Sequence, residues 1–203
     1  AAGAPSDEFE ALQAAWLSTQ PDELAEIRVR RQLDDVVVTG ASAAQLHRIG
    51  DLPADRHEFS TPRRRQTQRP EIRYRTRTLP RQDITIAHGL PVTTKERTIA
   101  DLVEARTDLS LVAGLVADAL HRGGLDAGRL QELLAPLAAR NGFPTGDGKA
   151  FLDRLVNLSG SLRGLSRTIQ RLANEADPSL ASIAAMAGDL RALDSLARGR
   201  HSA

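Results

Sequence analysis

The spacing of apolar residues divides the chain near residue 90. Before that point short apolar runs and strict alternation occur, whereas beyond it apolar residues recur every three or four positions. Alternation is typical of half-buried strands and the longer spacing of amphipathic helices. The first part is therefore predicted to mix helices and strands, and the second to be helical. At the junction, Thr93 and Glu96 have the spacing of a capping box, which predicts Thr93 as the N-cap of a central helix.

The first part contains several predicted elements. Helices are predicted at 7–19, with Ser6 as N-cap, and from Pro21 to about residue 32. A short buried strand at 36–38 and a short helix at 41–47 follow. Alternation at 72–77 puts Ile72, Tyr74 and Thr76 on one face of a strand and three arginines on the other. A second strand at 84–86 is predicted to pair with it in antiparallel orientation.

The second part is predicted to contain four further helices. One spans 109–122 and ends at Gly123; the next is capped by Asp126 and runs to about 140, unless Pro136 shortens it. A heptad pattern over 151–172 and a second apolar pattern at 180–190 predict an antiparallel hairpin, or else a docking arm for a partner or a second copy. The fold class is thus α/β (α+β), a small mixed sheet with flanking helices followed by a C-terminal helical hairpin. The predicted domains are 1–140 and 141–203.

Composition narrows the class of protein. The chain has no cysteine, so disulfides and thiolate metal sites are excluded. We find no apolar run of membrane-spanning length and no signal-peptide pattern, which predicts a soluble, cytoplasmic protein. The net charge of +1 hides a basic stretch, because residues 62–81 hold eight arginines and one glutamate. A concentrated basic stretch indicates an anionic partner, although a solvated face has the same composition.

Short motifs for cofactors or metals are incomplete. Residues 36–42 resemble the opening of a short-chain dehydrogenase, but Ala44 and Leu46 stand where later glycines are needed, which disfavours a dinucleotide site. Residues 142–150 resemble a phosphate-binding loop, but the motif is one residue too long, lacks the final Ser or Thr and follows a helix. His47 and His57 lack the spacing of metal ligands on a helix. We therefore expect no metal site and no cofactor.

Three motifs stand out in the chain, at residues 37–47, residues 51–59 with 61–65, and residues 89–94 with 96–102. Together they resemble those of the AbiEi-type antitoxins of type IV toxin–antitoxin systems, in their actinobacterial branch. The match extends over about residues 5–140. The resemblance implies an antitoxin domain whose partner is a nucleotidyltransferase-like toxin. Such proteins also have an N-terminal winged helix that binds operator DNA, and no such pattern precedes residue 36.

The mode of neutralisation stays open between several alternatives. The chain could bind the toxin directly, or it could be an atypical serine/threonine kinase that uses ATP and Mg²⁺ to phosphorylate the toxin. It could instead repress its own operon by binding DNA. Weak catalytic candidates are Lys95, Arg97 and Asp101, the last two of which also have the spacing of an ordinary helix ion pair. The candidates for binding a partner or phosphate are Arg63, Arg64, Arg65, Arg73, Arg75 and Arg77.

Overall fold

The computed structural model describes residues 9–30 and 36–175, with side chains up to residue 161. It confirms the predicted mixture of helices and strands. The helices are α1 (Glu10–Leu17), α2 (Ala25–Arg30), α3 (Gly40–Leu46), α4 (Lys95–Glu104), α5 (Leu109–Arg122), α6 (Ala127–Leu134) and α7 (Gly148–Glu175). The strands are β1 (Val37–Val38), β2 (His57–Thr61), β3 (Ile72–Thr76), β4 (Ile84–Ala87) and β5 (Leu90–Thr93).

The five strands form one mixed sheet in the order β3-β2-β1-β5-β4. Strand β1 is antiparallel to β2 and parallel to β5, while β3 is parallel to β2 and β4 is antiparallel to β5. Phe59 of β2 lies opposite both Val38 and Tyr74. Strands β3 and β4 therefore occupy opposite edges of the sheet, and the predicted antiparallel pairing between them is wrong.

A tight turn explains why β4 pairs with β5 instead. His88 and Gly89 connect the two strands with φ angles of 49° and 75°, and Ala87 faces Leu90 across the turn. A two-residue turn with positive φ at both positions matches the natural twist of a hairpin. The chain between β3 and β4, which includes a 3₁₀ turn at Arg81–Asp83, crosses from one edge of the sheet to the other. Local hairpin geometry thus determines the partner of β4.

Helix α1 packs its apolar side on the sheet. Leu12 and Trp16 are buried in one cluster with Val38 and Phe59. The indole Nε1 of Trp16 donates a hydrogen bond to the backbone oxygen of Val36 at 2.7 Å. The Arg28 guanidinium carbon lies 3.7 Å from the centre of the indole ring, a cation–π contact. Helix α1 is therefore held against the sheet, and Arg28 of α2 contacts it.

A second core cluster joins α4, α5, α6 and the beginning of α7. Ile99, Leu115 and Leu134 belong to it, and Phe151 and Leu155 of α7 are fully buried in the same cluster. The domain boundary at residue 141 stays a prediction. Helix α7 covers the predicted heptad segment, while the second predicted hairpin helix lies outside the described residues. None of the helices described is both long and apolar enough to cross a membrane.

The start of α4 differs from the prediction by one residue. Thr94 is the N-cap, since its side chain accepts a hydrogen bond from the Arg97 backbone N–H at 3.3 Å. Thr93 is the last residue of β5 and pairs with Ile84 of β4. Glu96 does not close a capping box, because its Oε1 accepts from the backbone N–H of Asp126 at 2.7 Å. Because Thr93 belongs to strand β5, the N-cap is Thr94, and the predicted capping box is wrong.

Several other helix ends also differ from the prediction. The N-terminal helix begins at Glu10 and ends at Leu17, and the Ser6 cap lies outside the described residues. Pro21 is not a first helical residue, because α2 begins only at Ala25. Helix α6 ends at Leu134 and continues as 3₁₀ turns, as expected if Pro136 removes a backbone donor. The caps predicted at Gly123 and Asp126 are confirmed.

Candidate functional site

The six arginines predicted to contact a partner lie along one edge of the sheet, in β3 and in the flanking residues. We call residues 62–77 the basic edge. Arg63, Arg64 and Arg73 are exposed, whereas Arg65, Arg75 and Arg77 are half-buried. Arg63 and Arg64 form no ion pair within the described part of the chain. The six side chains are therefore close in sequence but differ in how far a partner can reach them.

A buried carboxylate, Glu58, lies beneath the strand arginines. Its Oε1 lies 3.4 Å from Arg73 Nη1 and 3.4 Å from Arg75 Nη2. Its Oε2 accepts a hydrogen bond from the Ala41 backbone N–H at 3.1 Å, in the first turn of α3. Glu58 is only 8% exposed. One buried carboxylate therefore orients two arginines of the basic edge and accepts a hydrogen bond from a backbone N–H in the first turn of α3.

The same carboxylate accounts for the glycine in the turn between β1 and α3. Gly40 has φ of +59°, and a Cβ there would lie 1.8 Å from Glu58 Oε2. In dinucleotide folds a comparable turn lets a phosphate approach the helix N-terminus. Here an internal carboxylate occupies that position, which explains the resemblance of residues 36–42 to a cofactor-binding motif without the later glycines.

Arg77, at the end of the basic edge, is bound to helix α4. Its Nη1 lies 2.5 Å from Asp101 Oδ1, and its Nη2 contacts Glu104. Asp101 Oδ1 also lies 2.6 Å from Arg97 Nη2, which confirms the predicted i,i+4 pair, and Asp101 Oδ2 accepts from Thr39 Oγ1 at 3.2 Å. Burial raises the pKa of Asp101, while the two arginines act in the opposite direction. These contacts fix the exit of β3 against α4.

A second buried carboxylate, Asp83, extends this network to helix α6. Its Oδ1 accepts from Arg129 Nη2 at 2.7 Å and from Arg129 Nε at 3.2 Å. Arg97 Nη1 lies 3.9 Å from Asp83 Oδ2. We call Arg77, Asp83, Arg97, Asp101 and Arg129 the ion-pair network. Sequence reasoning missed Asp83, Arg129 and Glu58, because their partners are distant in sequence and no local spacing signals them.

The three weak catalytic candidates do not meet at one point. Lys95 Nζ donates to the backbone oxygen of Gly123 at 2.6 Å, at the C-terminal end of α5. Arg97 and Asp101 instead belong to the ion-pair network. A kinase site requires a cation near the transferred phosphate and an acid near the nucleophile or metal. In the conformation described, Lys95 and Asp101 are held by separate structural contacts.

The remaining sequence candidates also have structural contacts. In the phosphate-loop-like segment, Asp147 Oδ1 accepts from the Ala150 backbone N–H at 2.8 Å and so caps α7. His47 Nε2 lies 2.7 Å from the backbone oxygen of Thr93, and burial lowers the pKa of this histidine. Among the residues with described side chains, no group of three or more His, Cys, Asp or Glu is arranged to hold a metal ion.

Comparisons with known proteins address the family. The protein-family model of the AbiEi antitoxin C-terminal domain matches residues 36–141 of this sequence. Among solved structures, the chain is similar to the RV2827C protein from Mycobacterium tuberculosis, with 18% identity and a TM-score of 0.44. That alignment covers 77% of this chain and 55% of the other protein. No curated protein matched. Because the family match spans more than half of the 203 residues, the chain belongs to the AbiEi antitoxin family.

Proposed function

We propose that this chain neutralises a nucleotidyltransferase-like toxin by binding it directly through the basic edge. Membership in the AbiEi antitoxin family supports an antitoxin role. The observation that carries the proposed mode is the exposure of Arg63, Arg64 and Arg73 on an edge strand and its preceding loop. Exposed guanidinium groups bind carboxylates in a bidentate manner. The partner surface is therefore expected to be acidic.

The chemistry of the proposed partner supplies such a surface. A nucleotidyltransferase binds a nucleotide together with Mg²⁺, and Mg²⁺ is held by carboxylates. Without metal, those carboxylates form an acidic cleft complementary to the basic edge. Arginines that pair with them exclude the metal and so inhibit the toxin without any covalent step. The strand arginines are suited to this role because Glu58 already restricts Arg73 and Arg75, which lowers the entropy lost on binding.

The test combines toxin rescue with a binding measurement. Arg63, Arg64 and Arg73 are changed together to Glu, and the variant is compared with Arg154→Glu, an exposed arginine on α7 that is not part of the basic edge. We expect the triple variant to fail to rescue cells that express the toxin and to lose at least about tenfold in affinity, equivalent to about 1.4 kcal/mol. Arg154→Glu is expected to behave as the wild type.

Two further measurements separate the rival mechanisms. Incubation of the purified pair with ATP and Mg²⁺, followed by intact mass spectrometry, is expected to leave the toxin mass unchanged. A gain of one phosphate would identify the chain as a kinase and overturn the binding mechanism. Full rescue by the triple variant would show that the basic edge is not needed to neutralise the toxin. Full rescue together with loss of salt-sensitive operator binding would show that these arginines bind a nucleic acid instead.

A further inference from the structure

One face of the basic edge forms a groove with the C-terminal end of α1, lined by the loop before β3 and by β3 itself. Its volume is about 410 Å³. Arg63, Arg64 and Arg73, whose exposure carries the proposed contact with the toxin, do not line it. Its lining includes one aromatic residue, two arginines and three serine or threonine residues: Tyr74, Arg65, Arg69, Ser18, Thr19 and Thr67.

Both guanidinium groups in the groove are held in place by neighbouring residues. Arg65 Nη1 donates to the backbone oxygen of Thr19 at 2.8 Å. Arg69 Nη1 donates to Ser18 Oγ at 2.6 Å, and its Nε lies 2.6 Å from Glu71 Oε1. A guanidinium has five N–H donors, so each arginine keeps donors that these bonds do not use. Two pre-positioned arginines favour an anion with several oxygens, such as a phosphate.

The aromatic ring distinguishes this groove from the rest of the basic edge. Alternation along β3 places Tyr74 on the opposite face from Arg73 and Arg75, as the sequence predicts. The loop before β3, however, brings Arg65 and Arg69 to the face of Tyr74. The ring of Tyr74 is half-buried, with its centre 6.1 Å from that of Phe59. Tyr74 also lines the groove.

We propose that this groove binds one nucleotide unit of a single-stranded nucleic acid, with the phosphate between Arg65 and Arg69 and the base against Tyr74. An aromatic ring beside a cationic track is the arrangement by which proteins bind single strands without strong sequence preference. Bases in a duplex are stacked inside the helix and cannot reach such a ring. An acidic peptide would use the arginines but would gain little from Tyr74.

Binding is tested by fluorescence anisotropy with a labelled ten-nucleotide oligouridylate and the full chain. Tyr74→Leu keeps an apolar side chain beside Phe59 and is expected to weaken binding at least about fivefold, the lower end of what one stacked base contributes. Tyr74→Phe keeps the ring and is expected to bind as the wild type. Arg65→Gln with Arg69→Gln is expected to reduce the slope of log affinity against log salt by about 0.7, as loss of one phosphate contact does for a single strand. Arg154→Gln is the matched control.

Competitors define the ligand. A duplex of the same length is expected to compete poorly. Equal binding of strand and duplex, equal competition by a polyglutamate peptide, or an unchanged affinity in both Tyr74→Leu and the double arginine variant would overturn the proposal. Competition by AMP as tight as by the oligonucleotide would also overturn it, since the ligand would then be a free nucleotide. Thermal unfolding of each variant establishes whether it is folded. If Tyr74→Leu does not fold, the double arginine variant still tests the groove.

Discussion

Changing Gly40 to Ala provides a direct test of the contact between Glu58 and the start of α3. A left-handed φ costs an L-residue about 1–2 kcal/mol by itself. The added Cβ would lie 1.8 Å from Glu58 Oε2, so the carboxylate must move away from the Ala41 backbone N–H and from the strand arginines. Loss of a hydrogen bond to a charged group adds about 1.5–3 kcal/mol. We therefore expect Gly40→Ala to lower the free energy of unfolding by about 3 kcal/mol or more.

Gly89→Ala is the matched control. Gly89 has φ of +75°, but no atom lies within 4 Å of a Cβ built there, so only the backbone cost of about 1–2 kcal/mol applies. Urea unfolding followed by circular dichroism measures both variants. In a Glu58→Ala background, Gly40→Ala is expected to cost no more than Gly89→Ala. Equal costs of Gly40→Ala and Gly89→Ala in the wild-type background would refute the reasoning, because Glu58 would then not be fixed against the glycine.

Three further predictions concern the core and pH. Trp16→Phe removes the hydrogen bond to Val36 and is expected to lower the unfolding free energy by about 1–3 kcal/mol in urea titrations; no change would contradict the role of this bond. Burial lowers the pKa of His47, although the hydrogen bond with the Thr93 carbonyl acts in the opposite direction. The stability that neutral His47 contributes is therefore complete above pH 6.5 and is lost as the pH falls through the lowered folded-state pKa. His47→Gln should therefore flatten the thermal stability profile below pH 6.5. Gly148→Ala would place Cβ 2.0 Å from a backbone oxygen of α6, so it is expected to lower the melting temperature. A melting temperature equal to that of the wild type would show that α7 can shift without cost.

Elements with strong local signals could be predicted from the sequence. Helix α5 spans the predicted 109–122, because its apolar spacing and the glycine at 123 act within a few residues. The alternation in β3 likewise predicts its two faces correctly. Where strand pairing and a local signal competed, pairing decided: β5 extends to Thr93, so the cap moves to Thr94. Local patterns thus predict an element better than they predict its end.

The candidate site was only partly predictable for a related reason. The alternation predicts a row of arginines on β3, but it cannot show that Glu58 lies beneath Arg75 or that Asp101 holds Arg77. These partners come from other strands and helices. The predicted separation of Tyr74 from the strand arginines was correct. No signal indicated that Arg69 of the preceding loop lies on the side of Tyr74.

The two core clusters limit how this antitoxin domain can be divided. The family match covers residues 36–141, yet Trp16 and Leu12 before it and Phe151 and Leu155 after it are buried in the two clusters that hold the matched segment together. A fragment cut at the ends of the match would expose Val38 and Phe59 on one side and Leu134 on the other. The matched segment therefore lacks part of both core clusters, and any deletion analysis of this protein should keep at least residues 9–159.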